Sequence, residues 1–164
     1  MGRSVHIAIA AVAVSGIPGV EPATAQESPR AGLRPSVVGI GAKGYADSLN
    51  FYTKVMGFQV AYALPSPDGK PTTTFIQINR DTFLEMAPAS ANTPPGITHI
   101  GILTADANAA IAQLRQAGAT LADARAGGPT GSRLSNVTDP NGIRLELVEQ
   151  PPGSLMRKAM EAWK

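Results

Sequence analysis

The chain contains two segments that copy one another. Val37-Val38-Gly39-Ile40 opens the first and His99-Ile100-Gly101-Ile102 opens the second. Each apolar run leads into a helix-like stretch, residues 47–52 (DSLNFY) and 108–113 (NAAIAQ). Each copy then closes on a strand with one glutamate, Phe83-Leu84-Glu85-Met86 and Leu145-Glu146-Leu147. The offset is 62 at the start (99 − 37) and 61 at the end (146 − 85). A near-constant offset over a whole module is the mark of a duplicated supersecondary unit. It superposes Glu85 on Glu146 and His99 on Val37, so a two-fold set of His and Glu carries a valine at one corner.

The first copy, residues 36–88, predicts β-α-β-β-β. A strand over 37–42 precedes a helix over 46–55, where Leu49, Tyr52 and Val55 recur at helical spacing and Gly57 ends the run. Strands follow over 58–63, 72–79 and 82–87, separated by Pro67-Asp68-Gly69 and Asn79-Arg80-Asp81. Phe51 and Tyr52 are expected in the core, as large aromatics dominate burial. The proline-rich residues 88–95 link the copies. The second copy, residues 97–149, repeats the order: a strand over 97–103, a helix over 106–116 closed by Gly118, and strands over 119–124, 132–138 and 143–148. The glycine-rich residues 127–131 lack the lysine and helix of a phosphate loop and read as a mobile flap. Residues 150–164 predict a helical tail, with Ser154 as N-cap and Leu155, Ala159 and Trp163 on one face. Such a short helix is marginal alone and should dock on the sheet or on a second subunit. The fold class expected is α+β: one domain over 36–149 made of paired βαβββ modules, plus a C-terminal helix.

Upstream, residues 1–25 read as a secretory signal: Arg3 as the positive n-region, residues 7–14 as a short apolar core, and Ala23-Thr24-Ala25 as a small-x-small cleavage site. The apolar run is too short, and too broken by Gly16, Pro18 and Gly19, to span a bilayer. Residues 26–35 read as a linker. The expected location is secreted or periplasmic, with no membrane contact once the signal is cleaved. A formal net charge of +2, with no Lys/Arg cluster, is no nucleic-acid footprint. The chain has no cysteine, which excludes thiol catalysis, thiolate metal sites and iron–sulfur clusters. Once His6 leaves with the signal, His99 is the one histidine, which excludes mechanisms needing two.

Period-two alternation sets where the polar strand residues point. Leu145 and Leu147 share a face with Ile143, and Glu146 lies opposite with Arg144 and Val148. Leu84 and Met86 likewise oppose Glu85. His99 shares its face with Ile97, Gly101 and Leu103. If the modules pair as the repeat implies, Glu85, His99 and Glu146 look into one concavity. A carboxylate within an apolar strand is costly to bury without compensation, so two at repeat-related positions form a candidate site. The plainer reading has each glutamate on a solvated sheet face, paired with Arg80 or Arg144. Arg133 and Asn136, beside the glycine-rich stretch, are candidate substrate contacts, as arginine suits carboxylate recognition.

Residues 48–58 (SLNFYTKVMGF), 98–102 (THIGI) and 139–147 (DPNGIRLEL) bring a family into view. The chain resembles the vicinal oxygen chelate superfamily, which includes glyoxalase I, methylmalonyl-CoA epimerase, extradiol dioxygenases, and the fosfomycin and bleomycin resistance proteins. The resemblance covers residues 36–149. It implies that the modules curl into a half-barrel cup around a divalent metal held from the first and last strands of each module, at Val37, Glu85, His99 and Glu146. Valine has no ligand atom, so the implied metal set is Glu85, His99 and Glu146, with Glu85 and Glu146 also the candidate catalytic bases. Oxygen-rich sites suit Mg, Mn or Ca. The activity implied is a lyase, isomerase or epimerase reaction on a small oxygenated metabolite by proton transfer; a dioxygenase is disfavoured by Val37. The alternative is a metal-free protein that binds or sequesters a small molecule. A homodimer through the tail helix is a further expectation.

Overall fold

The structure, a computed structural model, describes residues 32–66, 68–69 and 71–164. The expected signal segment lies outside them. Strands β1 (Arg34–Ala42), β2 (Gln59–Pro65), β3 (Pro71–Asn79) and β4 (Thr82–Pro88) form the first half. Strands β5 (Gly96–Thr104), β6 (Arg125–Ala126), β7 (Arg133–Thr138) and β8 (Arg144–Glu149) form the second. They join in one eight-stranded sheet of order β2-β3-β4-β1-β5-β8-β7-β6. The paired α+β architecture read from the sequence is the one observed. Within each half, first and last strands run parallel, β1 with β4 and β5 with β8. Only the antiparallel β1–β5 ladder joins the halves in the sheet, with Val37 opposite Gly101 and Gly39 opposite His99. Tyr62 on β2 and Leu134 on β7 line the same cavity although they stand near opposite ends of the sheet. The sheet is therefore curled into a cup.

Alternation divides the apolar residues into three clusters. Outside the first half, Ile76, Leu84 and Met86 pack beneath helix α1 (Tyr45–Asn50) with Tyr45, Leu49 and Tyr52. Outside the second, Leu147 packs with Ala110, Ile111 and Leu114 of helix α2 (Ala107–Gln116). Inside the cup, Val37, Phe75, Phe83 and Leu103 meet Met156 and Met160 of helix α3 (Leu155–Ala162). Burying an aliphatic or aromatic side chain of this size is worth about 1.5–3 kcal/mol, so each half is held on both faces of its strands.

Local chemistry explains where the elements depart from expectation. The first helix does run on past residue 50, but as a widened π-turn over Phe51–Val55. Thr53 Oγ1 donates to Leu49 O at 2.8 Å, and Phe58 N donates to Tyr52 O. Back-bonding of this kind loosens a helix, and Gly57 turns the chain at φ 73°. Tyr52 stacks on Phe58, whereas Phe51 is 48% exposed and is not core. The strand expected over 119–124 is absent. Arg115 donates to Leu121 O and Ser135 Oγ to Ala122 O, so side chains take carbonyls that a ladder would use, and pairing shrinks to the two residues of β6. Residues 127–131 form a hydrogen-bonded 3₁₀ turn, not a flap: Gly127 N donates to Ser132 O, and Thr130 Oγ1 bonds Gly127 O and Ser132 Oγ. The tail helix is capped by Ser154, as expected. It buries Met156, Ala159 and Met160 instead of Leu155, Ala159 and Trp163. Polar contacts hold Met156 in place, Gln150 Nε2 and Ser36 Oγ both reaching its Sδ, and Gln77 Nε2 donates to Ala159 O.

Candidate metal centre

Three side chains meet where the halves join. Glu85 projects inward from β4, His99 from β5 and Glu146 from β8, because each lies out of phase with the outward-packed Leu84, Met86, Leu145 and Leu147. One ligand atom from each lies within 4.8 Å of the others. His99 Nε2 stands 3.5 Å from Glu85 Oε2 and 3.8 Å from Glu146 Oε2. The plainer alternative, two unrelated glutamates on a solvated sheet face, does not describe this geometry. Gly39 creates the room, for a Cβ there would sit 2.1 Å from His99 Cε1 and Nδ1. Arg144 does contact Glu146, at 3.6 Å, yet as one member of this cluster.

The imidazole is 4% exposed, and its nitrogens are treated differently. Nδ1 lies 2.7 Å from Arg144 Nη2 and 3.1 Å from Thr98 Oγ1. A guanidinium only donates, so Nδ1 accepts and the ring proton sits on Nε2. Nε2 is buried without a hydrogen-bond partner among the described residues, since both carboxylates stand beyond good hydrogen-bond distance. Burial pushes the Glu146 carboxyl up and Glu85 adds to this, while His99, Arg144 and Arg125 pull it down. The carboxylates concentrate negative charge around an unsatisfied ring nitrogen, and the donor set fits a hard divalent ion. For Nε2 to serve as a ligand, the ring proton must move to Nδ1, where Thr98 Oγ1 can accept it and Arg144 must withdraw.

Two cavities adjoin the triad, and Glu85 lines both. The inner one, about 170 Å³, is walled by Tyr62, Phe75, Leu134, Val148 and Met156 with Val37. The outer one, about 190 Å³, is polar, with Thr73, Asn92, Thr93, Thr98 and Arg144. Asn92 and Thr93 belong to the linker between the repeats. That linker closes over β1, where a Cβ on Gly41 would strike Pro94 O.

Of the two expected substrate contacts, one stands near the centre. Asn136 pairs with Glu146 across β7–β8, and its Oδ1 accepts from Arg144 at 3.5 Å. Arg133 corrects the expectation: it lies on the opposite face, bound to Glu149 at 3.2 Å and to Asn108 of α2 at 3.0 Å. Three residues were missed. Arg144 was read only as a counter-ion. Tyr62 carries a buried hydroxyl with no partner among the described residues, stacks on Phe75, and has its pKa raised by burial and by Glu85. Alternation back from Leu64 would have placed it inside the cup. Gln150 presents a buried, unpartnered Oε1 to the inner cavity; it lies past the last strand, where no periodicity applies.

Two βαβββ halves curled about a cavity, with carboxylates and an imidazole at their seam, define a glyoxalase-like protein. Residues 34–147 match the model of the Glyoxalase/Bleomycin resistance protein/Dioxygenase superfamily, and the chain belongs to that superfamily. A search of curated proteins returned no match. Solved structures show the same fold. A Streptomyces coelicolor methylmalonyl-CoA epimerase variant in complex with 2-nitronate-propionyl-CoA is 22% identical with a TM-score of 0.62, covering 74% of this chain and 96% of its own. A methylmalonyl-CoA epimerase in complex with methylmalonyl-CoA and NH4+ is 22% identical with a TM-score of 0.63, covering 75% and 98%. The Mycobacterium tuberculosis methylmalonyl-CoA epimerase is 22% identical with a TM-score of 0.60, covering 72% and 88%.

Proposed function

We propose that this protein is a glyoxalase-like isomerase, epimerase or lyase that holds a divalent ion through Glu85, His99 and Glu146 and moves a proton on a small oxygenated metabolite. The observation that carries the reading is the convergence of these three donors within 4.8 Å from strands of both halves. A bound ion supplies Lewis-acid polarisation of two neighbouring substrate oxygens. The chain supplies the rest. Glu146, whose pKa burial raises, accepts and returns the proton as general base. Glu85 faces both cavities and is the second base, on the other side of His99. Phe75, Leu134, Val148 and Met156 give the inner cavity an apolar side, and limiting water beside the carboxylates strengthens charge interactions there.

Elemental analysis of purified protein tests this, with Glu85→Ala and His99→Ala beside the wild type. Bound divalent metal in the wild type, lost in both variants, is expected. Metal-free wild-type protein that also fails to take up Mg, Mn or Ca on titration sinks the reading.

A second reading is metal-free binding of a small molecule, favoured by Val37 and by the Arg144 hydrogen bond at Nδ1. Thermal shifts by apolar ligands that ignore chelator would support it, as a ligand selective for the folded state raises stability by mass action. Export rests on residues 1–25 alone; N-terminal sequencing of secreted protein should begin at Gln26. Among the described residues no helix is long and apolar enough to cross a membrane. A dimer is also part of the proposal, and the solution mass tests it.

A further inference from the structure

We infer that Arg144 is the anchor for a substrate carboxylate, and that the substrate class is short-chain 2-oxo or 2-hydroxy carboxylic acids. The inference rests on the proposed function and names what the same site takes.

Three other arginines spend their guanidinium groups within the fold. Arg133 has a carboxylate at 3.2 Å and an amide at 3.0 Å. Arg115 has Asp123 at 2.9 Å and the carbonyl of Leu121. Arg157 spends Nε and Nη2 on the carbonyl of Gln150. Each of these forks serves the fold. Arg144 differs: its one short contact is to a neutral ring nitrogen, while Asn136 and Glu146 lie at 3.5 and 3.6 Å from Nη1. A guanidinium is shaped for two parallel bonds to one carboxylate, and no side chain among the described residues provides them. Its side chain is 42% exposed and borders the polar outer cavity beside Thr98 and His99.

The position of the fork fixes the orientation of a ligand. An anionic head at Arg144 sits among the hydroxyls of Thr73, Thr93 and Thr98. The next carbon and its oxygen then lie toward His99 and toward Glu85, which lines both cavities. What remains of the molecule enters the inner cavity of about 170 Å³, where Phe75, Val148 and Met156 stand beside Glu146 and Gln150. That space suits a short chain and excludes a bulky one. The Nδ1 contact supports the assignment further, because occupation of Nε2 as a ligand removes the acceptor that Arg144 now uses and releases the fork.

The test is calorimetric titration of 2-oxobutanoate and of its neutral amide, 2-oxobutanamide, into wild type and Arg144→Gln, each with Mn2+ present. Mn2+ binding is measured separately in both proteins, and circular dichroism checks the fold. Wild type should bind the acid at least about tenfold more tightly than the amide, the scale of a lost charge-assisted hydrogen bond. Arg144→Gln should bind the two alike. Equal affinities in wild type, no acid binding, or discrimination that survives in the variant would overturn the anchor. If Mn2+ binds and the acid preference is absent, the anchor falls and the metal reading stands. If the preference is present and Mn2+ does not bind, the reverse holds.

Discussion

The two halves of the sheet place one backbone slot in two chemical states. In the first half the slot holds Val37, packed over Gly101; in the second it holds His99, packed over Gly39. A Cβ on Gly101 would lie 2.7 Å from Val37 Cβ, and one on Gly39 would lie 2.1 Å from the His99 ring. The duplicated element is therefore the space, a glycine in each half that lets the other half's side chain lie flat against the sheet. The chemistry in the space has diverged. Valine joins the apolar inner cluster with Phe75 and Met156, while histidine joins two carboxylates. One side of the cup is thus greasy and the other polar, and a bound molecule meets both.

The asymmetry can be broken most severely at the glycines. Gly39→Ala should displace the imidazole and lower divalent affinity by more than tenfold. Gly101→Ala should leave the donors in place and cost about 1–3 kcal/mol of stability by overpacking. Calorimetric titration and chemical denaturation of the two variants separate these effects; equal metal affinities would show that the slots are not specialised. Next in size, Val37→His should restore the symmetric four-donor set and tighten divalent binding about tenfold. It should also destabilise the metal-free protein by about 1–3 kcal/mol, as a buried polar group must find a partner. Unchanged affinity would mean that position 37 belongs to the apolar cluster alone.

A third effect is a pH dependence. The folded state raises the Glu146 pKa above its ordinary 4.5. Its contribution to stability is full below 4.5 and is lost as pH rises through the raised value. In chelator, wild-type stability should fall over that window, and Glu146→Gln should flatten the fall. The smallest effect has the opposite sign and contrasts the two hairpin turns. The first turn uses a neutral side chain, Asn79 Oδ1 accepting from Asp81 N at 3.0 Å. The second uses Asp139 Oδ1, accepting from Ile143 N and Asn141 N at 2.8 Å. These bonds, that from Ile143 foremost, lower the Asp139 pKa below 3.8. Its stabilisation is present above 3.8 and is lost as pH falls through the lowered value. Asp139→Asn should be slightly less stable than wild type at neutral pH, and the denaturation curves should converge in acid.

Much of this was legible in the sequence, for reasons that also explain the failures. The repeat specified the modules, and strict alternation in β4, β5 and β8 aimed Glu85, His99 and Glu146 inward, since a one-residue slip would have turned their apolar neighbours out. In β7 the same alternation holds, with Leu134 facing the cup and Val137 facing α2; it puts Arg133 and Asn136 on opposite faces, so closeness to the glycine-rich stretch could point to the cup for one of them alone. At the tail, Leu155-Ala159-Trp163 and Met156-Ala159-Met160 are both helical stripes, and the contact of Gln150 with Met156 Sδ belongs to the second alone. Arg144 on His99 joins residues 45 apart, a contact that only the register of β5 against β8 creates.

The inner face of the cup is covered by Met156 and Met160 of α3, which follows all eight strands in the chain. During translation the strands emerge first and domains begin to fold as they appear. Until Met156 and Met160 clear the ribosome, the newly made sheet bares Val37, Phe75, Phe83 and Leu103 to solvent, a sticky concave surface open to aggregation. Completion of the pocket and escape from that hazard are one event, the docking of α3.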